Sequence, residues 1–393
     1  MKKIFALCLT IALFVSSLCA DNFLTTRFFD LTVGADLGLS NNVTSVSNLL
    51  VKDLVIDLKK INEGVPDSGG NLSANVNPEI QLNLNLGPFK FALQTGIEMQ
   101  GQFTISKDLF DFLGKGNSVG EEIEVGLDTD FDAFYFINAA LGFKLARFRI
   151  NFAPSVFLPL ISANGRAATA KFLNDENGNV ILGVTSNYDI YAPFDFENKE
   201  IMGLSADGIG FDLSGGIELP LNRKSTVKVS TRIPVIPGKI YTKTLFSSTI
   251  YYATSLDTID DPEKVFEYSY KSGLDDSIEV YRPLKLNGHI DYALLGGLIK
   301  FDGGLGFGLR HPYAENAKFY PEYYFACTAN LIDLLRMAIS TEYTDQVFIH
   351  QVMLDFNVRF LELKTGVSLQ SSSFEKSFST SGFGAFVYLS LGF

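Results

Sequence analysis

Tryptophan is absent from this sequence, and cysteine and histidine occur only three times each among 393 residues. Cys8 and Cys19 fall within the first twenty positions and only Cys327 lies beyond them, which excludes a disulfide framework or a thiolate metal centre in the body of the chain. Basic residues are also in deficit. With 32 Lys and Arg against 44 Asp and Glu, the formal charge of −12 excludes nucleic acid as an expected partner. Long apolar runs are missing as well: beyond Val15 no stretch reaches the ~18 residues that a membrane-spanning helix needs. Yet 47% of the residues are hydrophobic and the mean hydropathy is +0.17, so the apolar content must be dispersed.

It is dispersed by alternation, the period-2 pattern of strands with two chemically different faces. Phe29, Leu31, Val33, Ala35, Leu37 and Leu39 alternate with Asp30, Thr32, Gly34, Asp36, Gly38 and Ser40. Near the other end, Phe383, Ala385, Val387, Leu389, Leu391 and Phe393 share one face. Between these runs six tight turns are expected, at Gly87–Pro88, Ala146, Pro220 to Lys224, Gly296–Gly297, Ile332–Asp333 and Phe360–Leu361. Six hairpins and a terminal pair give about fourteen strands, and an apolar outer face is stable in lipid only if the sheet closes, because open edges would leave backbone groups unsatisfied. The fold class is therefore all-β, a closed antiparallel up-and-down transmembrane barrel.

The N-terminus carries Lys2 and Lys3, an apolar run from Ile4 to Val15 and small residues closing on Ala20. This layout predicts a secretory signal over residues 1–20 and a barrel domain over 21–393. Cys19 offers a lipoprotein alternative, against which bulky Leu18 directly precedes it. The longer connections, 41–78, 105–131, 162–206 and 236–280, all fall opposite the tight turns and should face outward, while 311–318, 345–348 and 372–381 are brief. Short helices are expected in two of them. Leu50, Val51, Leu54, Val55, Leu58 and Ile61 have helical spacing after the capping candidates Ser45 and Ser47, and Ser106 to Leu113 follows suit.

Alternation also fixes the inward face, which is densely charged. Candidate lumen-lining residues are Asp30, Asp36, Lys90, Glu98, Lys144, Arg149, Asp291, Lys300, Asp302, Arg336, Glu342, Asp355 and Arg359, and the pattern continues through Asp212, Arg232, Lys285, Arg310 and Glu322. Either these groups neutralise one another and brace the wall, or some line a solute path. His289, His311 and His350 sit in no recognised nucleophile, metal or cofactor motif, so neither catalysis nor a cofactor is expected. Asp175, Asn177 and Gly178 superficially match the start of a calcium loop without its closing glutamate and read as a turn. The cluster Asp257, Asp260, Asp261, Glu263, Asp275, Asp276 and Glu279 reads as a solvated loop.

The terminal strand with Phe383, Leu389, Leu391 and Phe393 resembles the C-terminal signal by which outer-membrane barrels are recognised for assembly. In strand number and size the chain resembles fourteen-stranded outer-membrane channels such as the long-chain fatty-acid transporters (FadL-like). The likeness implies an outer-membrane location, lipid and the assembly machinery as partners, and passage of a small solute. It lacks that family's N-terminal hatch motif, and its inward face is charged rather than apolar. Three readings follow: a small-solute channel, a non-conducting surface barrel acting as adhesin or structural protein, and a hydrophobic-substrate transporter.

Overall fold

The computed structural model describes residues 27–45, 57–195, 200–201, 206–255, 263–315, 317–332, 334–358 and 360–393. The signal segment, Ser47, the helical pattern over 50–55, Asp257, Asp260, Asp261 and Arg359 lie outside the described residues.

The first half of the chain contains β1 (Phe29–Asn41), β2 (Gly70–Val76), β3 (Glu79–Leu86), β4 (Phe89–Ile105), β5 (Glu122–Leu145), β6 (Phe148–Asn174), β7 (Val180–Tyr191), β8 (Phe194–Asp195) and β9 (Glu200–Ile201). The second half contains β10 (Gly210–Pro220), β11 (Ser225–Ile236), β12 (Gly238–Thr254), β13 (Glu263–Val280), β14 (Leu284–Leu294) and β15 (Ile299–Arg310). It ends with β16 (Lys318–Ile332), β17 (Leu335–Thr344), β18 (Val347–Val358), β19 (Leu361–Ser371) and β20 (Gly382–Gly392).

Fourteen staves close into one antiparallel barrel. β2 and β3 form a single stave interrupted at Asn77–Pro78, where proline has no N–H to give; the register runs on unchanged, with Leu37 opposite Val76 and Gly34 opposite Glu79. Closure is made by β1 and β20, paired from Asp30↔Gly392 to Ser40↔Gly382. The seam is finished by Phe393, whose carbonyl accepts from the amides of Phe28 (2.7 Å) and Phe29 (3.2 Å) while its ring stacks on Phe29 at 5.5 Å.

The two faces are inverted relative to a water-soluble barrel. Phe91, Leu141, Phe152, Ile217, Val229, Leu305, Ile339, Val367 and Leu389 are exposed, whereas Asp30, Gln94, Ser155, Asp212, Lys228 and Asp355 are buried. Such a belt of exposed apolar side chains is stable only against hydrocarbon, so these staves are membrane-spanning. Tyr292, Phe325 and Phe356 are exposed on the same outer face, and Tyr343 packs on Phe348 with ring centroids 4.4 Å apart.

The tight turns lie where alternation hands over. Gly87 (φ 76°) and Gly296 (φ 70°) take left-handed backbone that a side chain would strain. On the opposite side the long connections are largely strand extensions. β5 begins at Glu122 and β6 runs to Asn174, and with β7, β12 and β13 they raise one sheet well beyond the belt. Register shifts between Leu127 and Asp128 and between Ala133 and Phe134 in the β5–β6 pairing break the period there, which hides these strands in the sequence.

Three short helices sit at this outer rim. α1 (Leu58–Gly64) is capped by the Asp57 side chain, which accepts from the Lys60 amide at 3.0 Å. α2 (Lys107–Lys115) falls where the sequence places it and holds α1 through Lys107, whose ammonium donates to Asn62 Oδ1 at 2.5 Å. α3 (Phe374–Ser377) joins them through Lys376, whose ammonium donates to the carbonyls of Asn42, Val43 and Gly64.

Inside the wall, β15 presents Gly304, Gly306 and Gly308 inward, and neighbouring His289, Asn287 and Tyr320 lie across them. A Cβ on Gly308 would stand 2.1 Å from the Tyr320 ring, itself fully buried. Gly308→Ala is therefore expected to destabilise by about 1–3 kcal/mol through overpacking, measured as a lowered denaturant midpoint of the refolded barrel.

Candidate functional site

Strand parity puts the charged residues on the inner wall, and most meet partners there. Asp30 pairs with Arg27 (3.1 Å), Arg149 with Glu218 (3.3 Å) and Arg336 with Asp355 (3.5 Å). Asp291 lies between Lys228 (3.1 Å) and Lys300 (3.4 Å), Asp302 faces His289 (3.4 Å), and Asp36 accepts from Asn75 (3.3 Å) and Asn77 (3.5 Å). Lys90 and Lys144 stand near their turns, Lys144 exposed, and Glu342 is half-buried on β17. These pairs run mostly between neighbouring staves and brace the wall.

A second set reaches across it. Glu98 on β4 receives a two-pronged contact from Arg232 on β11, at 2.9 and 3.0 Å, and two more bonds from Arg282 in the β13–β14 link, at 3.0 and 2.6 Å. Arg282 also donates to Asp212 (2.8 Å), a carboxylate with 0% exposure. Asp130 on β5 meets Arg310 at the end of β15 (3.1 Å), Lys318 at the start of β16 (2.7 Å) and His311 between them (3.4 Å). Asp345, in the β17–β18 turn, pairs with Lys285 (3.3 Å), and its carbonyl accepts from Gln102 of β4 at 2.6 Å. Contacts this short between staves up to six places apart around the barrel mean that side chains meet within the lumen. They form a charged septum.

An apolar cluster adjoins the septum. Phe134, Phe136 and Phe157 point inward and pack with Ile240 and Val280 from the base of the β12–β13 hairpin. The Arg282 guanidinium lies 4.7 Å from the Phe136 ring centre and 5.9 Å from that of Phe157. A cation between two ring faces and two carboxylates is held on every side.

Asp130, His311 and Asp345 lie beyond the membrane belt: Asp130 is roughly 50 Å of strand from the Ala146 turn at 3.3 Å per residue. Burial alone would raise the Asp130 carboxyl, but the His311 hydrogen bond and the Arg310 and Lys318 charges hold it well below the usual carboxylate range. His311 is raised: burial works against its charged form, but the bond to Asp130 and the charges of Asp132 and Asp130 outweigh it. In the same way Lys285 and Arg310 overcome burial at Asp345 and bring it to about 2. The Asp130 and Asp345 carboxylates at the outer end of the septum are thus ionised at neutral pH.

Of the sequence-predicted lumen residues, Glu98, Asp212, Arg232, Lys285 and Arg310 belong to the septum. Asp130, His311 and Asp345 were hidden in stretches read as connections, and Asp132 and Arg282 just beyond the ends of such stretches. The remaining sequence candidates resolve simply. Asp175 Oδ1 accepts from the amides of Asn177 and Asn179 in a turn, while Asp276 and Glu279 pair with Lys243 and Lys239 at 2.8 Å each. His350 lies on the outer face, 2.8 Å from Ser377 Oγ. That hydroxyl is buried and already donates to the Phe374 carbonyl at 2.6 Å, so the imidazole is its donor and not its base.

No family model and no curated protein matches this sequence. Among solved structures the chain is similar to the Pseudomonas putida toluene transporter TodX at 10% identity, over 98% of this chain and 97% of that one, with a TM-score of 0.47. It is similar to the Ralstonia pickettii toluene transporter TbuX at 8% identity, over 94% and 90%, with a TM-score of 0.41. The translocator domain of the Neisseria meningitidis autotransporter NalP gives 8% identity, 94% and 90% coverage and a TM-score of 0.35.

Proposed function

We propose that this chain is an outer-membrane channel for small solutes, shut at rest by side chains of its own wall. One observation carries the reading: among the described residues the lumen is spanned by ion pairs from the staves and the links at their ends, and not by a separately folded plug. Parting Glu98 from Arg232 and Arg282 needs rotamer changes only, while the backbone ladder stays whole. A displayed, non-conducting barrel has no need for pairs that cross the lumen, since neighbouring staves already supply the bracing ones.

In this reading residues 1–20 direct export, lipid covers the belt, and the outward-facing, exposed Phe383, Leu389, Leu391 and Phe393 are what the assembly machinery reads. The buried, donating hydroxyl at Ser377 supports a role without catalysis.

Planar-bilayer recording of the purified barrel tests the proposal. Rare discrete conductance steps are expected from the native protein, becoming frequent when the septum is weakened at Glu98. Silence from both, with no solute flux into liposomes, would remove the channel reading and favour display.

A further inference from the structure

We infer that Asp130, Asp132 and His311 form a three-ligand site for a divalent transition ion of the zinc type at the outer end of the septum. One ligand atom from each lies within 4.8 Å of the others. His311 Nε2 stands 3.4 Å from Asp130 Oδ1 and 3.9 Å from Asp132 Oδ2. The first is at the outer limit of a hydrogen bond and the second beyond it. Bonds of about 2.0–2.1 Å at tetrahedral angles put neighbouring ligand atoms roughly 3.3–3.4 Å apart, so the Asp130–His311 separation already fits a shared ion and Asp132 Oδ2 would close by about half an ångström.

Asp132 is already oriented as a ligand would be. Its Oδ1 accepts from Ser162 (2.7 Å) and Asn164 (3.1 Å), which leaves Oδ2 turned toward His311. An independent observation lies beside it. A cavity of about 10 Å³, the room of one water, is bordered by Asp132, His311 and Arg310. Arg310 is only 4% exposed, and its Nη2 has no partner among the described residues. A water completing the ion's four ligands would fill that cavity and accept from Nη2, as catalytic-type zinc sites keep one position for water.

Two cations now touch Asp130, and both can yield. Lys318 Nζ is 2.7 Å from Oδ2 on a side chain 47% exposed, so it can turn to solvent. Arg310 Nη1 is 3.1 Å from Oδ1, and its Nε keeps a second carboxylate, Asp345, at 3.6 Å. The ion would replace two weak cross-lumen contacts with coordination bonds between β5 and the β15–β16 turn. It would act as a bolt between opposite walls.

The test uses the full-length barrel refolded in detergent, stripped with EDTA and titrated with Zn²⁺ by calorimetry and with Co²⁺ by absorption. One saturable site per chain with a tetrahedral cobalt spectrum is expected, weakened on the order of 10-fold or more in Asp132→Asn and in His311→Ala. Lys318→Ala is expected to bind more tightly, because the ammonium competing for Asp130 is gone. Absence of saturable binding, native affinity in His311→Ala, loss of the site instead in His289→Ala or His350→Ala, or unchanged or weaker binding in Lys318→Ala would each overturn the inference. These readouts do not depend on whether the barrel conducts.

Discussion

Arginine at Leu305 is expected to prevent the barrel from forming in lipid. Leu305 is 76% exposed, points away from the septum and lies near the middle of β15, flanked by Gly304 and Gly306, which offer no neighbouring side chain to shelter a charge. A guanidinium at mid-bilayer on the lipid face of a barrel costs about 2–4 kcal/mol, a large share of the stability of a typical domain. Leu389→Arg on β20 should behave alike, with the added handicap that β20 forms the closing seam. A matched control lies on the raised sheet, where Tyr268 is 62% exposed to water. Tyr268→Arg should stay within about 0.5 kcal/mol of the parent. Folded fractions in liposomes, read from unheated gels and denaturant titration, separate the cases; equal folding of all three would mean that the strand faces are assigned the wrong way round.

Glu98→Gln is the second large effect, and it should act on stability and passage in opposite directions. The side chain is mostly buried and is the carboxylate that Arg232 and Arg282 share. Removing one member of a buried pair leaves the others uncompensated, which costs about 3–5 kcal/mol. Arg282 retains Asp212, and Arg232 retains the Pro283 carbonyl at 3.0 Å, so the lower end of that range applies. Conductance should rise, since the amide cannot hold two guanidinium groups across the lumen. Glu98→Gln combined with Arg232→Met should recover much of the stability while staying conductive, because the cation left without a carboxylate has gone, Arg282 still holds Asp212 and the bridge has not returned. If the double variant regained both stability and silence, the pairs would be bracing without gating.

The barrel was legible because lipid on one side and polar groups on the other impose a strict two-residue period over whole staves, and runs such as Phe383 to Phe393 carry it without interruption. The bracing pairs followed from the same parity. The same parity turned Glu98, Asp212, Arg232, Lys285 and Arg310 inward, but the rest of the septum and the pairing across the lumen did not follow, for local reasons. Arg282 sits in a three-residue link, and His311 (φ 48°) and Asp345 (φ 49°) occupy left-handed turn positions where alternation has stopped. Asp130 lies beyond the register shift between Ala133 and Phe134, where the sequence no longer reads as a strand. Nothing within a window of ten residues relates Glu98 to a partner 184 positions away.

Those separations carry a kinetic consequence. The bonds across the lumen join positions from 60 apart, for Lys285 and Asp345, to 243 apart, for Gln102 and Asp345. Such contacts cannot earn their stabilisation until the staves have met, so they belong to the last stage of folding, after the rate-limiting rearrangement of the sheet. Weakening them should therefore leave the speed of insertion almost untouched and hasten escape from the native state, the signature of interactions absent from the transition state.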